Sequence, residues 1–290
     1  MSEFLQFVFS GLTVGSVYAL VALGFIIIYN SSGVVNFAQG EFVMLGGMST
    51  VFLFAAGLPL WAAALAAIAM TCLVGIALNK LAIETARGAS VVTLIIITIG
   101  ASIFMRGAAQ IIFDKQIHRF PSISGDEPFL IGGATILPQG LWIIAGAILV
   151  FGGLFLFFSR TLVGKAILAT SNNKLAAQLV GISTNMMMTI SFGLSAAIGA
   201  LAGVLVTPIT LTSYDVGIAL ALKGFAAAIL GGMGSPFGAL LGGLLLGLIE
   251  AMTAGYISST YKDAAAFIVI LAVLFVMPNG IFGRSSIDRV

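Results

Sequence analysis

The stretch from Val8 to Tyr29 carries no charged side chain, and it is long enough for a helix to cross the hydrocarbon of a bilayer, which takes about 20 apolar residues. Further apolar runs follow near Val34–Ala56, Leu60–Asn79, Ser90–Phe113, Leu141–Phe158, Met186–Pro208, Val216–Gly232, Phe237–Tyr256 and Ala264–Pro278. A water-soluble domain has too little interior to hide them: 60% of the chain is hydrophobic, 8% is charged and the mean hydropathy is +1.19. In lipid each run has to satisfy its own backbone hydrogen bonds, which makes each of them helical. The longest polar stretches, 114–139 and 160–185, are too short for a soluble domain. The predicted fold is therefore all-α, a polytopic transmembrane helix bundle of about eight or nine helices forming one domain over residues 1–290.

Basic residues give the orientation. Lys80 with Arg87, then Arg160, Lys165 and Lys174, then Arg284 and Arg289 mark three cytoplasmic regions, whereas the loop 114–139 mixes Asp114, Asp126 and Glu127 with Lys115 and Arg119 and is expected outside. Nine crossings with an external N-terminus satisfy all of these loops; eight would leave the C-terminal arginines outside. No basic residue precedes Lys80, so the first run is expected to be a retained span and not a cleaved signal. Val216–Gly232 is short, contains Lys223 and runs into "GGMGSPFG", which predicts a broken or re-entrant helix.

Spaced glycines at Gly11/Gly15, Gly199/Gly203, Gly238/Gly242 and Gly243/Gly247 put small residues on one face of their helices and call for close helix packing. Catalytic chemistry is sparse. The pair Gly164-Lys165 lacks the rest of a P-loop, the single histidine, His118, lies in the external loop, and Cys72 is the only cysteine. No catalytic residue, metal site or cofactor of this chain is expected. The net charge of +2 is uninformative about partners; membrane lipid is the surface such a chain meets, and no nucleic-acid partner is expected.

Transport remains, and the charges inside apolar runs are its candidate groups. Arg106 and Glu250 lie near the ends of their runs and are expected to anchor or snorkel; Lys223 is expected to line or brace a pathway. If a helix begins near Val34 in "NSSGVVNFAQGEF", Asn36, Gln39, Gly40, Val43 and Gly47 share one stripe and Glu41 points elsewhere with Phe37, Met44 and Met48. Asn36, Gln39, Glu41 and Lys223 are thus the pathway candidates, with Glu41 equally suited to a structural brace. An ion-coupled secondary transporter, with Glu41, Lys223 and Glu250 as coupling groups, is the competing class. An integral-membrane enzyme lacks a catalytic constellation. Between 160 and 185 a short helical pattern from about Asn172 to Leu179, closed by Gly181, suggests a cytoplasmic docking element, with an ordinary amphipathic loop as the alternative.

Four motifs in order, "GLTVGSVYALVALGFIIIYNSSGVVNFAQGEFVMLGG", "GKAILATSNNKLAAQLVGIST", "AILGGMGSPFGALLGGLLLGLIE" and "MPNGIFGR", resemble the permease subunits of branched-chain amino acid ABC importers. The resemblance implies a multi-pass permease of the bacterial inner membrane that works with a second, related permease, two cytoplasmic ATPase subunits that hold ATP and Mg, and a periplasmic substrate-binding protein. Substrates implied are branched-chain or other hydrophobic amino acids, with urea or short amides as the alternative within the family. It also implies that Asn172, Asn173, Ala176, Ala177, Leu179, Gly181 and Ile182 belong to a coupling helix set against an ATPase subunit. Relatives carry a basic residue where this chain has Leu168 and an acidic one near Asn172 and Asn173, so the contact is expected to rest less on ion pairs here.

Overall fold

The computed structural model describes residues 2–86 and 88–283; Arg87, Arg284 and Arg289 lie outside the described residues. Among the described residues nine helices of 15 residues or more build the bundle: α1 (Ser2–Ser32), α2 (Gln39–Ala55), α3 (Leu60–Leu78), α4 (Val91–Ile112), α5 (Pro138–Arg160), α8 (Thr184–Thr210), α9 (Val216–Gly231), α10 (Pro236–Tyr256) and α11 (Lys262–Val276). Two short helices, α6 (Leu162–Asn172) and α7 (Lys174–Leu179), sit between α5 and α8, and α3 ends in a π-helical turn, Asn79–Ile83. Among the described residues six helices, α1, α3 with its π turn, α4, α5, α8 and α10, are long and apolar enough to cross a membrane. The other three, α2, α9 and α11, have 17, 16 and 15 residues.

Contacts between helix ends fix which of them share a face. At one face Gln6 of α1 donates to the Thr135 carbonyl at 2.9 Å and accepts from its N–H at 2.6 Å, while His118 and Thr212 exchange backbone hydrogen bonds of 2.9 Å. The start of α1, the loop 113–137 and the α8–α9 connection therefore lie together. At the opposite face Asn30 Nδ2 donates to the Gly234 carbonyl at 3.1 Å, and Ile281 and Phe282 donate backbone N–H groups to Leu230 and Gly231 at 3.0 Å. The end of α1, the α9–α10 turn and the last described residues meet there. Lys174 borders this face too, lining a cavity that spans the ends of α1 and α3 and the starts of α4 and α8, and Lys80 follows Asn79 of the same cavity in the π-helical turn.

The loop 113–137 holds a small antiparallel hairpin, β1 (Phe129–Ile131) and β2 (Ala134–Ile136), that the all-helical expectation did not include. Gly132 and Gly133 turn it at φ +60° and +82°, the two-residue turn with both φ positive that only glycine-like residues adopt cheaply. Before it, Asp114 accepts from His118 at 2.9 Å and from the Gln116 N–H at 2.6 Å. Those bonds, the His118 one first, hold its carboxyl below the ordinary 3.8. A depressed pKa contributes stability above the unfolded value and loses it as pH falls through the folded value. Hydrogen-exchange protection at residues 114–118, taken relative to the intrinsic amide rate at each pH, is thus expected to fall modestly below about pH 4, and protection as high at pH 3 as at pH 6 would refute it.

α1 and α8 are central. From Val17 to Ile28 α1 is almost wholly buried, whereas α3, α4, α5 and α11 turn large apolar side chains outward, among them Trp61, Phe104, Leu149 and Phe275. Lipid tails are as apolar as leucine, so burial adds little helix–helix attraction; close backbone approach and hydrogen bonds must supply it. All four spaced glycine pairs serve this purpose within the chain. Gly11 and Gly15 of α1 face Gly243 and Gly247 of α10, Gly199 and Gly203 of α8 face α2, and Gly238 and Gly242 of α10 face α9.

Candidate functional site

The segment "NSSGVVNFAQGEF" breaks where a continuous second helix was expected. Gly33 ends α1 at φ +74°, and α2 begins at Gln39, not near Val34. Between them Asn36 Oδ1 accepts the Ala38 N–H at 3.1 Å, an Asx turn, and the Phe37 N–H reaches Thr98 Oγ1 of α4 at 3.2 Å. The break is thus sealed by side chains of the bundle, as irregular backbone at membrane depth requires. Asn36 lies off the helix, so it does not share a helical stripe with Gln39.

From Gln39 onward α2 divides its polar groups between two walls. On the α8 wall, Gln39 Nε2 donates to the Ser195 carbonyl at 3.4 Å, and Ser195 Oγ lies 2.7 Å from Gln39 Oε1 and 2.8 Å from the Gly24 carbonyl. Gln39 has no exposed surface; it ties α1, α2 and α8 together. On the α4 wall, Glu41 Oε1 accepts from Ser102 Oγ at 2.7 Å and lies 3.2 Å from Arg106 Nε. Arg106 Nη2 also donates to Ser102 Oγ at 3.3 Å. Arg106, expected to snorkel outward, instead reaches back to neutralise a carboxylate that is 2% exposed. Met44 and Met48 continue this wall against Ala109.

Lys223 belongs to a separate network joining four helices. Its ammonium lies 2.9 Å from Glu250 Oε1 and 2.7 Å from Asp263 Oδ1, while Tyr18 donates to Glu250 Oε2 at 2.7 Å. The same ammonium stands 5.3 Å from the centre of the Tyr18 ring, within cation–π range. Glu250, expected near a helix end, is buried and paired. The four pathway candidates are therefore not gathered at one point: Asn36 borders a cavity at the face bearing Lys174, Gln39 and Glu41 face opposite walls, and Lys223 bridges α9, α10 and α11. Sequence reading missed Ser102, Ser195, Tyr18 and Asp263 as partners. Equal numbers of acids and bases inside the apolar runs, Glu41 and Glu250 against Arg106 and Lys223, were the available signal.

The predicted docking element is a distinct helix, α7. Asn173 caps it, accepting the Ala176 N–H at 2.9 Å, and Gly181 at φ +87° closes it while the Ile182 N–H returns to the Ala177 carbonyl at 2.9 Å. Ala177 is buried against the bundle, whereas Asn172, Asn173, Ala176, Leu179 and Gly181 are exposed and Ile182 is half-buried. Leu175, Leu179 and Val180 stand 69%, 82% and 76% exposed, an apolar patch on a polar face.

The family described as the branched-chain amino acid transport system permease component matches residues 7–276. The high-affinity branched-chain amino acid transport system permease protein LivH of Salmonella typhimurium is 32% identical, over 99% of this chain and 98% of that protein. Its counterpart BraD of Pseudomonas aeruginosa is 34% identical over the same shares. A solved structure, PsaBC from Streptococcus pneumoniae in complex with Fab, is 14% identical with a TM-score of 0.51, covering 97% of this chain and 94% of that one; it shares the fold. The chain is a multi-pass membrane protein of the branched-chain amino acid transport permease family, a transport component and not an enzyme.

Proposed function

We propose that this chain is a membrane-spanning permease subunit of an ATP-driven ABC importer for branched-chain or other hydrophobic amino acids, placed in a bacterial inner membrane. A second related permease completes the pathway, two cytoplasmic ATPase subunits hold ATP and Mg, and a periplasmic binding protein delivers substrate at the face carrying the loop 113–137. The observation that carries the reading is the exposed apolar patch of α7 on the lysine-bearing face of a chain related over nearly its whole length to amino acid permeases. Asn172, Asn173, Ala176, Ala177, Leu179, Gly181 and Ile182 form or terminate this element. Asn36, Gln39, Glu41 and Lys223 then set the helices that border the pathway, Asn36 by facing the cytosolic cavity and the other three by bracing.

An alternating mechanism requires a ligand or partner that binds one conformation better than the other. ATP binding in the partner subunits shifts α7, and α7 passes that shift to α8 through the short turn 180–183. The test is uptake of labelled leucine by the assembled transporter with its ATPases and binding protein, with urea and acetamide as competitors. ATP-dependent uptake is expected; uptake by the chain alone on an ion gradient would overturn the reading. Leu179→Glu places a charge in the patch and leaves the buried Ala177 untouched. It is expected to cut uptake and ATPase co-purification by about tenfold, equivalent to about 1.4 kcal/mol, and full co-purification would remove α7 from the contact.

A further inference from the structure

Between the end of α1, the π-helical turn, the start of α4, α7 and α8 lies a cavity of about 430 Å³, within the usual size range of small-molecule sites. Two asparagines that border it, Asn36 and Asn79, are each 1% exposed, and each leaves one polar atom without a partner: Nδ2 of Asn36 and Oδ1 of Asn79. Their other amide atoms fix which way they point. Asn36 Oδ1 accepts the Ala38 N–H at 3.1 Å, and Asn79 Nδ2 donates to Thr189 Oγ1 at 2.9 Å; turning Asn36 over would break its bond, and turning Asn79 over would make Thr189 give up its own bond to the Asn185 carbonyl at 3.0 Å.

A buried polar group left unpaired costs about 1–3 kcal/mol, and here one orphan is a donor and the other an acceptor. That pair complements a carboxylate and an ammonium group on one small molecule. The rest of the wall includes Ile28, Leu94 and Phe192, with the exposed Lys174 also bordering the cavity. The wall is mixed, with Ser32, Glu84, Gln178 and Asn185 beside those apolar groups; the apolar part suits an aliphatic side chain, and the lysine adds attraction for a carboxylate. We propose that this cavity is a cytosolic-side site for a free aliphatic α-amino acid, with Asn36 Nδ2 donating to the carboxylate and Asn79 Oδ1 accepting from the ammonium group. The proposal deepens the importer reading and rests on it for the class of substrate.

The test uses the assembled transporter without its binding protein and measures equilibrium binding of labelled leucine, of leucinol, which lacks the carboxylate, and of 4-methylpentanoate, which lacks the amine. Wild type is expected to bind leucine more tightly than either analogue. Asn36→Ser keeps a side-chain oxygen for the Ala38 N–H and removes the amide donor, so leucine binding should weaken about tenfold, the worth of about 1.4 kcal/mol, with leucinol unchanged. Asn79→Asp keeps the acceptor and is expected to hold leucine at least as tightly as wild type; unchanged leucinol binding by Asn36→Ser shows that the cavity is intact. Leucine binding no tighter than the analogues, or unaltered by Asn36→Ser, would overturn the site. ATP-driven uptake by wild type is scored separately: uptake without this binding sinks the site alone, and its absence sinks the importer reading.

Discussion

A Lys223→Met permease is expected to lose about 3–5 kcal/mol of stability, the usual result of removing one partner from a buried ion pair. Lys223 is the cation for Glu250, whose side chain is 6% exposed, and for Asp263, whose side chain is 53% exposed. Without the lysine, Asp263 keeps water, but Glu250 retains only the Tyr18 hydroxyl at 2.7 Å and must either hold an uncompensated charge or take up a proton, both costly away from water. The reverse change is milder. Glu250→Gln leaves Lys223 paired with Asp263 at 2.7 Å and leaves Tyr18 an amide to bond. Combining Lys223→Met with Glu250→Gln removes both charges, so the double variant should recover most of the loss, a coupling visible in a double-mutant cycle. Thermal unfolding of the assembled transporter in detergent measures all three, and a double variant no more stable than Lys223→Met would refute the pairing. The same proteins separate a brace from an ion-coupling group: a brace predicts that the double variant still imports leucine on ATP.

The two polar networks also show how far the sequence could be read. Apolar run lengths located the nine longer helices among the described residues, because in lipid the backbone permits helices and little else. The capped α7 was visible for the same kind of reason: Asn173 and Gly181 act on their immediate neighbours. Pairings such as Glu41 with Arg106 or Lys223 with Glu250 join residues on different helices, and helical periodicity says nothing about which helix stands opposite. Charge balance alone allowed the crossed alternative, Glu41 with Lys223 and Arg106 with Glu250. The displaced start of α2 was hidden for another reason. Val34 and Val35 read as helix, but the Asn36 turn and the reach of Thr98 to the Phe37 N–H hold the segment open, and Thr98 is a tertiary partner with no local signature.

The glycines lend themselves to the sharpest test, because one substitution is expected to act in opposite directions at two sites. Adding a Cβ at Gly247 would drive it into the Gly11 carbonyl and into the backbone of Gly15, and at Gly243 into Ala19, whose Cα would be 2.5 Å away. These obstacles are backbone, so no side chain can rotate aside; α1 and α10 would have to part along their whole crossing. In water some of that loss returns as hydrophobic attraction, but in lipid it does not, and the dispersion contacts along the crossing weaken steeply with a gap of even 0.5–1 Å, as a rough guide. Gly247→Ala is therefore expected to cost about 3 kcal/mol, the upper end of overpacking changes, and to lower both folded yield and unfolding temperature. Gly107 of α4 has nothing within 4 Å of an added Cβ. There the same change removes a flexible residue from a helix interior and should stabilise it by up to about 1 kcal/mol. If Gly247→Ala melts like wild type, the α1–α10 crossing does not depend on backbone contact.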